Sequence, residues 1–145
     1  MIHWQNITWF VPDEFQDPLV PDSGDLIDGI TLLKLHELRV NTGWPIITHW
    51  PAGGCVDVNG SHGHAENSYH LQRNGCKAVD FHFATKAPAK VQIHEVMKAG
   101  FTGTGIYGWW KWNGVRLVAG FHVDTRPVEK TAIWSSRKKG EYVYL

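Results

Sequence analysis

Three side chains in this sequence have the types and neighbourhoods that a catalytic metal centre needs: His70 in SYHLQ, Asp80 in AVDFHF and His122 in GFHVDTR. Such a centre takes three protein ligands from histidine, aspartate, glutamate and cysteine. It leaves one position for water, which is both bound and polarised there. His70 ends a long stretch rich in glycine, asparagine and serine, and Asp80 lies in the next strand-like run, so a tight connection would bring imidazole and carboxylate together. His122 and Asp124 are two apart in a run that favours extended backbone, where alternate side chains share a face. One of them can ligate while the other handles a proton. His82 shares the face of Asp80, either as a partner behind the ligands or as a substrate contact. His62 and His64, in GSHGHAE, could form an auxiliary metal or substrate site, whereas His3, His36 and His94 carry no hypothesis.

The elements that must position these residues can be read from the spacing of apolar and turn residues. WFVPDEF predicts a short helical turn, with Pro12 ahead of Asp13 and Glu14 and with Trp9, Phe10 and Phe15 anchoring it. LIDGITLLKLHELRVNTG predicts a helix whose apolar stripe is Leu26, Ile30, Leu33 and Leu38 and whose stop is Gly43. WPIITHW reads as a strand with Pro45 at its first position, and 51–68 as a long irregular loop of the kind that carries function. AVDFHF is a second strand, and PAKVQIHEVMKAG a helix opened by Pro88 and closed by Gly100. GTGIYGWW, VRLVAG and FHVDTR read as closing strands, with Asn113-Gly114 a strong hairpin signal. SSRKKGE reads as a solvated basic end. The expected fold is a single α+β domain over 1–145, a central antiparallel sheet flanked by helices.

Composition narrows the function classes. Fourteen lysines and arginines balance fourteen aspartates and glutamates, so no basic field argues for nucleic acid and no acidic excess argues for disorder. The opening MIHWQNITWFVPDEF has neither a basic start nor a continuous apolar run, which predicts a chain made in the cytoplasm without a secretory signal and without membrane insertion. Cys55 and Cys76 are too few for a disulfide scaffold and are read as reduced, or at most as one bridge between two loops. Nine histidines and eight tryptophans lean towards a site. Trp109, Trp110 and Trp112 read mainly as packing residues, with stacking on sugars as the alternative.

SYH…KAVDF followed by GTGIY…GFHVDTRP resembles the D-Ala-D-Ala carboxypeptidase-like zinc peptidases, which include VanX-type dipeptidases, cell-wall carboxypeptidases and phage endolysins. Their pattern S-x-H-x-x-G-x-A-x-D, with a late strand histidine, is met by Ser68, His70, Ala78, Asp80 and His122. The resemblance covers most of the chain, since WFVPDEF, HELRVNTG and WPIIT also look like phage-encoded members. It implies one Zn²⁺ on His70, Asp80 and His122, and hydrolysis of peptidoglycan stem peptides at the bacterial cell wall or periplasm by a phage-type lysin, with virion proteins as possible partners. The chain also departs from the pattern. His70 and Asp80 are spaced more widely than in the family, with extra residues around Arg73-Asn74-Gly75, so the loop must bulge for both to ligate. Thr48-His49-Trp50-Pro51 replaces the S-G-Y-R whose arginine serves substrate or charge, leaving His49 or Arg73 to substitute. Ala119 stands where many members have the catalytic carboxylate, which makes Asp124 the expected base and Glu66 the next candidate. A non-catalytic structural or binding module that keeps the peptidase fold is the alternative from another class.

Overall fold

The computed structural model describes residues 1–54 and 56–145. Cys55, and with it the reading of a Cys55–Cys76 bridge, lies outside the described residues. Strand alternation explains the frame. In β2 (Ala78–Phe83), Val79, Phe81 and Phe83 point one way and Ala78, Asp80 and His82 the other. In β6 (Gly120–Asp124), Phe121 and Val123 join the first set and His122 and Asp124 the second. The apolar set merges with Leu32, Leu35 and Leu38 of α1 (Gly29–Thr42) and Val96 of α2 (Ala89–Lys98) into one buried cluster, in which the Phe81 and Phe121 rings stack at 5.5 Å. Removing this area from water is the main force holding helices to sheet.

Around β2 and β6 the sheet is completed by β1 (Ile46–Thr48), β3 (Gly103–Tyr107), β7 (Ala132–Ser136) and β8 (Val143–Tyr144), in the order β1-β2-β6-β3-β7-β8. The α+β class stands, but the sheet is mixed and not purely antiparallel, because β7 pairs parallel to β3, with Gly105 opposite Trp134. That strand went unrecognised, and its last two residues, Ser135 and Ser136, were expected to open the solvated end SSRKKGE. Its five residues are too short and too polar to signal burial by themselves, and only 137–141 form the exposed basic turn. VRLVAG is likewise not a full strand. Asn113 (φ 51°) and Gly114 (φ 78°) close the expected hairpin, but β4 (Lys111–Trp112) and β5 (Val115–Arg116) are two residues each.

Asp28 begins α1 by accepting the Thr31 N–H at 2.9 Å, and Gly43 ends it in the left-handed region at φ 69°. The stripe that faces the core is Thr31, Leu32, Leu35 and Leu38. Ile30 and Leu33 are exposed, contrary to the expected stripe, because GITLLKL carries apolar residues on two faces and spacing alone does not choose between them; Leu26, also exposed, lies in the separate turn Ser23–Leu26 ahead of the helix. Phe10 and Phe15 anchor the N-terminal turn, while Trp9 is half-exposed beneath the Arg39 guanidinium. Among the described residues no helix is long and apolar enough to cross a membrane.

Candidate metal centre

Register brings two of the three candidate ligands together. Asp80 of β2 is the cross-strand partner of His122 of β6, on the face away from the core, and its Oδ1 lies 2.8 Å from His122 Nδ1. His70 arrives from the loop. The extra residues that widen its spacing from Asp80 form a tight turn at Gln72–Asn74, closed by Gly75 at φ 100°. The chain then doubles back so that Lys77 N–H donates to the Tyr69 carbonyl at 2.7 Å. The bulge therefore takes up the added length, and His70 Nε2 comes 3.1 Å from Asp80 Oδ1. One ligand atom from each of His70, Asp80 and His122 lies within 4.8 Å of the others.

The set fits a divalent ion of the zinc type, with two imidazole nitrogens and one carboxylate oxygen converging on one point. Burial alone would raise Asp80, but the His70 charge and bonds from His122 and His70 hold it far below the usual carboxylate range, so it is anionic whenever a metal would bind. Gly53 allows the approach on the other side, since a Cβ there would sit 2.9 Å from Asp80 Oδ2. Beside His122 opens a cleft of 430 Å³ walled by Tyr69, Tyr107, Arg126 and Trp134.

Asp124 shares the face of His122, as expected, but its oxygens are committed. Oδ2 faces His122 Nε2 at 2.9 Å, and the Arg126 side chain donates to both oxygens, Nε to Oδ1 at 2.8 Å and Nη2 to Oδ2 at 2.6 Å. The carboxylate is fully buried, and Gly103 leaves room for it, because a Cβ there would collide with Oδ1. It thus stands behind His122, on the nitrogen opposite the one that faces Asp80. Such a carboxylate fixes the tautomer and ring plane of a metal-binding histidine. With no metal, His122 bridges two carboxylates. Burial would lower its pKa, but the bonds to Asp124 and Asp80 carry it up to about 9.

His49 extends β1 beside Asp80, donating its N–H to the Asp80 carbonyl at 2.8 Å, and its Nε2 lies 2.8 Å from His82 Nδ1. Burial pushes it down to about 4, so at neutral pH it can hydrogen-bond a substrate but not supply the charge of the absent arginine. Arg73 is not brought to the cluster. It is exposed, donates to the Glu66 carbonyl at 3.0 Å and lines a separate cavity of 470 Å³ with Glu66 and His64. The guanidinium at the cleft belongs to Arg126 instead. Trp112 stacks on His49 at 4.9 Å and Trp110 on Tyr107 at 4.0 Å, packing that closes one end of the site face.

Several residues at this site escape a reading by sequence. Asp57 is fully buried and accepts from His64 Nδ1 at 2.8 Å, and His64 in turn stacks flat on His70 at 4.4 Å. An aspartate between Val56 and Val58 was a signal of a buried polar anchor. Trp134, over His122 at 5.4 Å, gave none, since its strand went unrecognised. Comparison of the chain with family models, with curated proteins and with solved structures gave no match in any of the three.

Proposed function

We propose that the chain is a zinc-dependent peptidase acting on peptidoglycan stem peptides, a phage-type wall lysin of the D-Ala-D-Ala carboxypeptidase-like fold. The observation that carries this reading is the convergence of His70, Asp80 and His122 beside an open cleft, in the order and strand contexts of the resemblance. Zn²⁺ bound there would supply Lewis acidity and an acidified water. The chain's own residues do the rest. Asp124, held by Arg126, orients His122 so that Nδ1 faces the ligand cluster. Tyr69, Tyr107 and Trp134 wall the cleft in which a peptide would lie. His64, anchored through Nδ1 by Asp57 and lowered by burial and by the neighbouring His70, is neutral at pH 7 and serves as proton carrier beside the cluster.

A second reading is favoured by a specific observation. Ala119 offers no carboxylate, and the acid nearest His122 on its own strand is tied up by Arg126, which suits a binding module that keeps the fold without turnover. A zymogram on purified peptidoglycan with and without a chelator separates the two. Chelator-sensitive clearing is expected; no clearing by folded, zinc-loaded protein removes the peptidase reading.

A further inference from the structure

A second group of metal-binding side chains lies outside this centre. Asp17, just after the N-terminal turn, meets Asp57 and His62 of the 51–68 loop, with one ligand atom from each within 4.8 Å of the others. His62 Nε2 is 2.8 Å from Asp17 Oδ1. The two aspartates are 1% and 0% exposed, a costly placement for like charges unless something positive stands between them. Among the described residues neither forms an ion pair with lysine or arginine; their ionic partners are His62 and His64. The remaining bonds are from main-chain N–H groups. Asp17 Oδ1 takes Leu19 at 2.9 Å and Oδ2 takes Val58 at 3.0 Å, while Asp57 Oδ1 takes Ser61 at 3.0 Å and Oδ2 takes His62 at 3.3 Å. Asp17 Oδ2 and Asp57 Oδ1 thus each accept one bond and keep a lone pair.

We propose that Asp17, Asp57 and His62 form a second divalent-cation site, separate from the His70 centre and structural in role. One imidazole and two carboxylates are a zinc-type donor set, whereas calcium and magnesium favour oxygen alone. An ion there would tie together segments that are far apart in sequence. Asp57 N–H donates to the His70 carbonyl at 3.1 Å and Asp57 forms a parallel bridge with Leu71, so fixing Asp57 also fixes the end of the loop that presents His70. Metal affinity at such a site is folding free energy for the loop. This inference does not depend on the peptidase reading.

The experiment counts zinc. Full-length protein is stripped with a chelator, dialysed against zinc chloride and assayed for metal per chain by mass spectrometry, alongside His122→Ala, His62→Ala, Asp17→Asn and the His122→Ala/His62→Ala pair. Two zinc ions are expected in the wild type, one in each single variant and none in the pair, with faster proteolysis of the 57–70 loop in His62→Ala. His62 is on the loop and partly exposed, so that variant keeps its fold even if Asp17→Asn does not. A single zinc lost with His122→Ala and kept with His62→Ala overturns this proposal and leaves the first centre standing. A single zinc with the opposite pattern supports this site and removes the first. Two zinc ions in His62→Ala, or none in the wild type, overturn it.

Discussion

Phe121 and His122 are neighbours in β6, yet they belong to two molecules' worth of chemistry, because a strand turns successive side chains to opposite faces. On one face Phe81, Phe83, Phe121 and Val123 share one buried cluster with Leu32, Leu35 and Leu38 of α1 and Val96 of α2, and what matters is volume. On the other Asp80, His122 and Asp124 lie within hydrogen-bond reach in a row, and what matters is which atom faces which. The sheet lets stability and chemistry be separated by one residue. Phe121→Ala should therefore cost about 3–5 kcal/mol of folding free energy, read by chemical denaturation. At pH 9 and above, where the ionic contribution of His122 is largely lost, His122→Ala should leave the denaturation curve of chelator-treated protein near wild type, while at neutral pH it abolishes zinc uptake at the centre. If His122→Ala unfolds the chain, the polar face is part of the scaffold and the comparison fails.

A smaller effect tests what Asp124 does within the polar face. In the orienting role, Asp124→Asn lowers zinc affinity tenfold to a hundredfold, and saturating zinc restores turnover. In the role of base, turnover stays down by roughly two to four orders of magnitude at full occupancy. Zinc titration and hydrolysis measured on one preparation distinguish them. Gly103→Ala is the steric counterpart. Its Cβ would strike Asp124 Oδ1, so it should cost about 1–3 kcal/mol and weaken zinc binding, although no ligand is touched. Normal zinc affinity in a folded Gly103→Ala protein would mean that the position of Asp124 is not critical.

The two faces also differed in how far sequence exposed them. The polar row was legible because its members stand at a spacing of two in β-branched and aromatic strands; β2 lies where AVDFHF predicts it, and β6 starts one residue before the predicted FHVDTR and ends two residues short of it. Their joining was not derivable from local pattern, since strand order is a long-range choice. The parallel insertion of β7, and with it Trp134 above His122, therefore went unseen. On the apolar face the errors were of another kind. Helical spacing in α1 fits two stripes, and only packing against the sheet selects Leu32 and Leu35 over Ile30 and Leu33. Arg73 illustrates a third kind: a charge in the right stretch of sequence was carried outward by the same turn that brings His70 home.

The most gradual effect expected is on the pH dependence of the metal-free protein, and it is specific to the polar face. His122, raised to about 9 against 6.5 for a free imidazole, contributes stability that is fully present below 6.5 and is lost as pH rises through 9. His49 and His64 are lowered, so the folded protein disfavours their protonation, and their contribution is lost as pH falls below 6.5, for His49 down to about 4. The carboxylates Asp80 and Asp124 are held so low that their loss falls below this range. Stability of the chelated protein should therefore peak near pH 6.5 and fall on the alkaline side, by at most about 1.4 kcal/mol per pH unit for one proton. Denaturant midpoints at a series of pH values measure it. His122→Ala should flatten the alkaline limb and leave the acid limb, and zinc should flatten the alkaline limb in the wild type, since a metal-bound imidazole has no proton to lose there. A fall between pH 6.5 and 9 that survives in His122→Ala would place the titrating group elsewhere, since the raised Cys76 and Tyr107 act only above that range, and the bridging of His122 between Asp80 and Asp124 would lose its energetic meaning.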